Sequence, residues 1–254
     1  MDTFAFITGA SSGFGEAIAR KFAENGINIV ITGRRLDRLE KLKNELNTKH
    51  PSINCVISCF DVRNDEEVKN AVLDLPNHVS SKINILINNA GLAVGRGPID
   101  AGDSDDWNRM IDTNVKGLLY VSTAVIPLLK NHRNSQIVNI ASIAGKEVYP
   151  GGNVYCASKH AVDALSRAMR IDLLPYGIKV TNIAPGAADT EFSLVRFKGD
   201  SETAKSVYEG FTPLYAEDIA DSVFYVCTRP AHVTINDLVI MPTAQASATN
   251  LVKD

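Results

Sequence analysis

Residues 4–15 read FAFITGASSGFG, and this stretch decides how the whole chain is interpreted. It begins with a short apolar run, 4–8, of the kind that forms a buried strand. Three glycines follow with the spacing Gly-x-x-x-Gly-x-Gly, and a helical pattern continues over 15–25. Such glycines either punctuate a tight turn or let the backbone approach a phosphate at the helix N-terminus. A strand, a glycine-rich turn and a helix in this order predict the first unit of a nucleotide-binding α/β fold.

Short apolar runs continue to alternate with longer amphipathic stretches along the rest of the chain. The predicted strands are 4–8, 27–32, 53–60, 83–87, 136–141, 178–183 and 237–241. The predicted helices are 15–25, 36–49, 65–73, 104–129, 154–174 and 216–227. Continuous Val and Ile runs are typical of parallel strands that are buried on both faces. We therefore predict an α/β fold of the doubly wound Rossmann type, with a parallel sheet of about seven strands and helices on both faces.

We expect residues 1–254 to form one domain, because the sequence contains no repeat, low-complexity tract or break in composition. The least regular stretch, 187–212, is too long for an ordinary connection and is predicted to be a lid over the substrate. The tail, 242–254, is mostly small and polar. It is expected either to be disordered or to dock on a neighbouring subunit.

Composition argues against several classes of partner. The formal net charge is −3 and the pI is near 6.0, so the surface has no basic footprint for nucleic acid or an anionic membrane. No apolar run has the length of a membrane span, and no signal peptide is recognised, so the expected location is cytoplasmic. The cysteines do not have the spacing of metal ligands, and no metal is predicted.

The end of the second predicted strand bears on the choice of nucleotide. It reads Thr32-Gly33-Arg34-Arg35, without the carboxylate that hydrogen-bonds the ribose 2′-hydroxyl in NAD sites. Two cations at the start of a helix are unfavourable unless an anion is bound beside them. The guanidinium fork suits a phosphate group. Arg34 and Arg35 therefore predict NADP rather than NAD.

Three side chains form a candidate catalytic set. Tyr155 and Lys159 are one turn apart on a predicted helix, so they share a face. A phenol has a pKa of about 10, and a nearby ammonium lowers that pKa by stabilising the phenolate. Ser142 follows the strand 136–141, where ligand crevices form, and its hydroxyl is placed to hold a substrate oxygen. Taken singly, the tyrosine and lysine fit surface packing and the serine fits a helix cap, whereas together they indicate proton transfer.

These motifs together resemble those of the short-chain dehydrogenases/reductases, and the match runs from residue 3 to about residue 241. The motifs are Thr8-Gly9-x-x-x-Gly13-x-Gly15, Asn88-Asn89-Ala90-Gly91, Asn114, Ser142, Tyr155-x-x-x-Lys159 and Pro185-Gly186 followed by Thr190. The resemblance implies that Tyr155 is the general acid/base and that Ser142 positions the substrate oxygen. It also implies that Lys159 lowers the pKa of Tyr155 and binds the nicotinamide ribose, while Asn114 holds a water for a proton relay.

The resemblance also implies a set of NADP contacts. Their members are Gly9, Ser11, Ser12, Gly13, Phe14, Gly15, Arg34, Arg35, Asp61, Val62, Asn88, Ala90, Gly91, Tyr155, Lys159, Pro185, Gly186 and Thr190. Asp61 and Val62 would border the adenine, although a solvated strand-end cap explains Asp61 nearly as well.

A narrower resemblance concerns the substrate. The segments 32–35, 151–155, 190–200 (TEFSLVRFKGD) and 230–236 resemble the NADP-dependent 3-hydroxy acid dehydrogenase branch. This implies oxidation of L-serine, L-allo-threonine and related 3-hydroxy acids by a homotetramer. A small hydroxy acid needs a cation for its carboxylate, and Arg196 in the lid is the candidate, beside Ser142 and Tyr155. The alternative for Arg196 is an exposed lid residue or an ion pair between subunits.

Three other functions fit parts of the pattern. A broad carbonyl or 3-ketoacyl reductase would use the same machinery, but it would need a wide apolar entrance or a basic docking patch. A non-catalytic NADP-binding sensor or scaffold would be expected to lose the tyrosine, lysine or serine, and all three are present. A sugar-nucleotide epimerase would need a larger C-terminal region.

Overall fold

The computed structural model describes residues 3–254, and its central feature is one sheet of seven strands. The strands are β1 (Phe4–Ile7), β2 (Asn28–Gly33), β3 (Cys55–Cys59), β4 (Ile83–Asn88), β5 (Gln136–Ile140), β6 (Lys179–Pro185) and β7 (Asp237–Ile240). They are all parallel and lie in the order β3-β2-β1-β4-β5-β6-β7. The predicted doubly wound fold is confirmed. The strand order reverses between β1 and β4, and a crevice opens there at the carboxyl ends of the strands.

Helices cover both faces of this sheet. They are α1 (Gly13–Glu24), α2 (Leu36–Lys49), α3 (Asp65–Leu73), α4 (Asn77–Ser80), α5 (Ser104–Ile111), α6 (Leu118–Leu129), α7 (Asn153–Asp172), α8 (Glu191–Arg196), α9 (Ser201–Ser206) and α10 (Ala216–Cys227). Side chains on one face of the sheet pack against α1, α2 and α10. Those on the other face pack against α3, α6 and α7. Strand β1 contributes to both layers, because Ala5 and Ile7 point to the first and Phe4 and Phe6 to the second.

The prediction of a single helix over 104–129 is wrong in the middle of this range. Between α5 and α6 the chain forms a π-helical segment, Asp112–Gly117, which widens the turn locally. Gly117 lies so close to the loop after β3 that a Cβ there would be 2.8 Å from Val62 Cγ2. The sequence pattern has the same apolar face on either side of this segment, so periodicity alone does not reveal it.

The C-terminal tail contacts its own chain, and its docking on a neighbouring subunit stays a prediction. The tail folds back on its own chain, where the Val252 amide donates to the Ala244 carbonyl and the Asp254 amide to the Gly210 carbonyl. Because the Gly210 bond joins the tail to the 187–212 stretch, the last residues lie beside the predicted lid. Among residues 3–254, no helix is both long and apolar enough to cross a membrane.

Candidate active site

A cavity of about 900 Å³ lies over the carboxyl ends of the central strands. Its walls come from the loops after β1 to β6, from the stretch 187–212 and from the tail. The predicted cofactor residues that line it are Gly9, Ser11, Ser12, Gly13, Phe14, Arg34, Arg35, Asp61, Val62, Ala90, Gly91, Tyr155, Lys159, Pro185, Gly186 and Thr190. We call the part around Arg34 and Arg35 the adenosine end and the part around Tyr155 the substrate end.

The glycine-rich turn has the backbone geometry that its residues suggest. Gly9 and Gly13 have φ values of 67° and 55°, a left-handed conformation that favours glycine. Gly15 does not line the cavity, contrary to expectation. It is packed inside the turn, where a Cβ would collide with the carbonyl oxygen of Gly9. Asn89, a member of the predicted motif 88–91, fixes the turn by donating to the carbonyls of Thr8 (2.8 Å) and Gly9 (3.3 Å).

Of the two arginines after β2, Arg35 is the one held over this turn. Its guanidinium donates to the hydroxyls of Ser11 (3.1 Å) and Ser12 (2.7 Å). Arg34 points the other way and lies 3.7 Å from the carboxylate of Asp61. Burial acts to raise the pKa of Asp61, but hydrogen bonds from Arg63 outweigh burial and lower that pKa. Asp61 is therefore a charged group at the adenosine end.

A carboxylate from α8 closes the adenosine end. Glu191 accepts from Arg38 at 2.7 and 2.8 Å and from Arg35 at 3.3 Å. The hydroxyl of Thr190 caps the helix by accepting from the Phe192 amide. The start of the predicted lid is thus tied to the arginines that follow β2.

The candidate catalytic residues meet at the substrate end. Tyr155 and Lys159 are buried on α7, and the Lys159 ammonium donates to the Ile140 carbonyl at 2.9 Å. Lys159 Nζ lies 5.9 Å from the centroid of the Tyr155 ring. The Ser142 hydroxyl caps the short turn after β5 by accepting from the Ala144 amide, and it also lines the cavity. Ser142 therefore caps this turn and also lines the cavity.

Burial dominates the protonation of both α7 residues. It raises the pKa of Tyr155, Tyr149 raises that pKa further, and Ser142 and Arg196 act in the opposite direction. The polar side chains of the chain do not by themselves lower this pKa, contrary to expectation, because removing a phenolate from water outweighs their effect. Burial lowers the pKa of Lys159 from 10.5 to about 8.

Two predicted site residues, Asn88 and Asn114, have side chains that point away from the cavity. The Asn114 amide group exchanges hydrogen bonds with the backbone of Leu92 and donates to the Ser158 hydroxyl. Both of its N–H donors are used, so this side chain braces the loop after β4, and its role in holding a relay water stays a prediction. The Asn88 side chain donates to Ser122 and Asn139 in the sheet interior.

Arg196 reaches the substrate end from α8. It donates to the Tyr149 hydroxyl at 2.9 Å, and its guanidinium carbon lies 5.6 Å from the centroid of the Tyr155 ring. Its Nε is buried and, among residues 3–254, has no hydrogen-bond partner. The expectation of an exposed lid arginine does not describe this position, because Arg196 is half-buried and lines the cavity.

The family model described as short chain dehydrogenase matches residues 3–199. The chain belongs to the short chain dehydrogenase family. The predicted family is thereby confirmed.

Several short chain dehydrogenases are similar over nearly the whole chain. Sulfoacetaldehyde reductase of Chromohalobacter salexigens is 48% identical, over 97% of this chain and 96% of that protein. NADP-dependent 3-hydroxy acid dehydrogenase YdfG of Escherichia coli K12 is 44% identical, over 95% of this chain and 96% of that protein. The closed form of a serine dehydrogenase complexed with NADP+ has a TM-score of 0.92 and 43% identity, and the match covers 99% of this chain and 100% of that one.

Three residues of this short chain dehydrogenase site were not found by sequence reasoning. Tyr149 precedes α7 and contacts Arg196, Arg96 lines the cavity from the loop after β4, and Glu191 faces the arginines after β2. The lid run 190–200 carried a signal for Glu191, which directly follows Thr190. Tyr149 and Arg96 lie in irregular loops, where neither periodicity nor spacing indicates which way a side chain points.

Burial of Lys159 has a measurable consequence for this short chain dehydrogenase. Its pKa falls from 10.5 to about 8 on folding, so between these values the unfolded chain binds more protons. The stability of the wild type should therefore rise with pH across that window, and the cost of burying the ammonium is fully present below about pH 8. We expect Lys159→Met to raise the free energy of unfolding at pH 7 by about 1–3 kcal/mol, although it removes a candidate catalytic group.

Urea unfolding of wild type and Lys159→Met at pH 7 and pH 9.5 measures this effect. The matched control is Lys146→Met, which removes an ammonium that pairs with Asp163 at 2.5 Å and should destabilise the protein. A Lys159→Met protein that is less stable than wild type at pH 7 would contradict the prediction.

Proposed function

We propose that the chain is an NADP-dependent oxidoreductase that interconverts small 3-hydroxy acids, such as L-serine or L-allo-threonine, and the corresponding 3-oxo acids. The observation that carries this proposal is the Arg196 guanidinium, which has a buried N–H without a partner among residues 3–254 and faces the ring of Tyr155. A cation in this state favours an anionic group on the substrate.

The residues at the adenosine end fit NADP. Arg35 is poised over the hydroxyls of Ser11 and Ser12, and these donors suit a 2′-phosphate, while Arg34 lines the same cavity on the side of Asp61. The left-handed Gly13 opens α1, whose N-terminal amides would take the pyrophosphate. The names of similar proteins, an NADP-dependent dehydrogenase and a dehydrogenase with NADP+, support the same cofactor.

The chain supplies the proton chemistry. When bound, NADP supplies the carbon that exchanges a hydride with the substrate, and the charge of its oxidised ring favours a phenolate at Tyr155. In oxidation, the Tyr155 phenolate takes the hydroxyl proton, and in reduction the phenol returns it to the carbonyl oxygen. Ser142 holds that oxygen, and Lys159 has N–H donors beyond its bond to Ile140 with which to hold the nicotinamide ribose. A proton relay through the Asn114 side chain is not part of this proposal.

A second candidate function is reduction of sulfoacetaldehyde, and the 48% identity to a sulfoacetaldehyde reductase favours it. In sulfoacetaldehyde, one carbon lies between the aldehyde carbon and the sulfur. In a 3-oxo acid, one carbon likewise lies between the 3-oxo carbon and the carboxyl carbon. Arg196 would therefore meet the anionic group of either compound at a similar distance from Tyr155. The two candidates differ in the anion: a planar carboxylate has two oxygens and a tetrahedral sulfonate has three.

The other functions considered receive less support. A broad carbonyl or 3-ketoacyl reductase would not need the half-buried arginine beside the catalytic tyrosine. A sensor or scaffold would not need Tyr155, Lys159 and Ser142 to line one cavity. We further propose that residues 1–254 form one domain in which 187–212 acts as the lid, tied at Glu191 and by the bond from the Gly95 amide to the Arg196 carbonyl. Assembly as a homotetramer and a cytoplasmic location stay predictions.

The test is a panel of L-serine, L-allo-threonine, 3-hydroxypropanoate, isethionate and propan-1-ol with NADP and with NAD, followed by nicotinamide absorbance. Turnover of the anionic compounds with NADP supports the proposal. Faster turnover of propan-1-ol than of every anionic compound would overturn it.

Cofactor choice gives a prediction for Arg35. Arg35→Gln should lower kcat/KM for NADPH by about 10–100-fold, the size expected for loss of charged hydrogen bonds to a phosphate, and change kcat/KM for NADH little. Steady-state kinetics with each cofactor measures the ratio. An equal fall with both cofactors would mean that Arg35 only shapes the turn through Ser11 and Ser12. Arg38→Gln, which removes the main partner of Glu191 instead, is the matched control.

A further inference from the structure

Charge is distributed unevenly along the cavity. The carboxylates that line it within residues 3–254, Asp61 and Glu191, both lie at the adenosine end. Each is paired there, Asp61 with Arg63 at 2.6 Å and Glu191 with Arg38 at 2.7 Å. The charged residues that line the substrate end are therefore basic, in a protein whose formal net charge is −3.

Two guanidiniums at the substrate end lack a carboxylate partner in the described part of the chain. Arg196 contacts the hydroxyl and ring of Tyr149 and the ring of Tyr155, and none of its bonds is to an acid. Arg96 lies on the loop after β4 and takes part in no ion pair within residues 3–254. It lines the main cavity and also a neighbouring cavity of about 290 Å³, and Tyr155 borders both. The carboxylates of the smaller cavity, Asp103 and Asp106, face Lys198, which lies 2.8 Å from Asp106.

Both arginines act on the same tyrosine. Burial raises the pKa of Tyr149, and Arg196 and Arg96 each act to lower it. The stem of Arg96 lies near this place, because its Cγ would be 3.2 Å from a Cβ at Gly151 and the Gly97 amide donates to the Gly151 carbonyl, while the side chain as a whole is exposed. The anionic end of a substrate at Tyr155 would thus lie within the field of two cations.

A 3-hydroxy acid bound in this way places its second carbon between the acid group and the carbinol that meets Tyr155. In L-serine that carbon carries an ammonium, which would lie on the side of both guanidiniums and meet no carboxylate among the residues that line the substrate end of the main cavity. A positive charge placed near these guanidiniums is repelled strongly in a cavity from which much of the water is excluded. A hydroxyl or a hydrogen at the same carbon avoids this repulsion.

Resting on the proposed function, we infer that the site selects 3-hydroxy acids and sulfonates that have no ammonium group, and that Arg96 is a residue that sets this selectivity. L-Serine is a substrate of this class, but a weak one. Isethionate, 3-hydroxypropanoate and L-glycerate are the favoured substrates.

L-Glycerate and L-serine form a matched pair, since they share a carbon skeleton and differ at the second carbon by a hydroxyl against an ammonium. With wild-type enzyme and NADP, we expect kcat/KM for L-glycerate to exceed that for L-serine by at least about 30-fold, given two nearby cations. Equal values, or a preference for L-serine, would overturn the inference. If none of these compounds is oxidised and their oxo forms are not reduced, the proposed function itself fails, and the inference fails with it.

Arg96→Gln tests the residue. It should lower kcat/KM for isethionate and raise kcat/KM for L-serine, changing the ratio of the two by about tenfold, the effect of one nearby charge. A merely structural role would lower both together, and that result would overturn the role of Arg96. Arg96→Lys keeps the charge and should keep the wild-type ratio. Arg109→Gln is the control, because Arg109 lines the same cavity but lies 3.9 Å from the carboxylate of Asp106.

Discussion

Tyr155→Phe is expected to lower kcat by about a thousandfold or more while NADPH binds with little change in affinity, because the phenol is the only hydroxyl proposed to exchange a proton with the substrate. The ring stays in place, since it packs against Phe192 with centroids 5.7 Å apart and is buried. The variant therefore removes an oxygen and leaves the cavity wall. Steady-state kinetics gives kcat, and fluorescence titration gives the Kd for NADPH.

Tyr149→Phe is the matched control for this experiment. It removes a second phenol, which is half-buried in the same cavity, contacts Arg196 and has no proposed part in proton transfer. We expect Tyr149→Phe to raise KM for anionic substrates and to leave kcat within about a factor of ten, as for loss of one hydrogen bond. Substantial turnover by Tyr155→Phe would remove Tyr155 from the proton path.

The fold was predictable because the decisive signals are local. The helices over 36–49, 65–73 and 216–227 were predicted with the bounds that the structure has, since caps, prolines and apolar periodicity mark them in the sequence. The π-helical segment Asp112–Gly117 was not predictable in the same way. It depends on contact between Gly117 and Val62, residues far apart in the chain, and no local pattern encodes that contact.

The site residues differ in the same way: the positions of some follow from local sequence, and those of others depend on the fold. Tyr155 and Lys159 are one helical turn apart, so their meeting on one face follows from the helix itself. The orientations of Asn88 and Asn114 do not follow from any spacing, because each amide is held by partners on other elements. The pKa of Tyr155 is a further case: a nearby ammonium suggests a lowered pKa, but the depth of burial, which raises it, is a property of the folded chain.

The second large effect is expected for Arg196→Gln. The variant should raise KM for isethionate and 3-hydroxypropanoate by about a hundredfold, as expected for loss of two charged hydrogen bonds to an acid group, with a smaller change in kcat. Turnover of propan-1-ol, which has the same carbinol and no anionic group, should stay within about a factor of three. The position of α8 should persist, because the hydrogen bond that ties Arg196 to the loop after β4 is accepted by its backbone carbonyl from the Gly95 amide and does not involve the side chain.

Two further measurements distinguish anion binding from loss of lid structure. Arg196→Lys keeps the charge but not the planar fork, so it should recover part of the lost KM effect. Because the guanidinium contacts Tyr149 and the Tyr155 ring, a collapse of the lid would also expose Tyr155 and lower turnover of propan-1-ol. Equal losses on the anionic and neutral substrates would therefore assign Arg196 to the lid. The anion site would then have to be found elsewhere, with Arg96 as the remaining guanidinium without an ion pair in residues 3–254 at the substrate end.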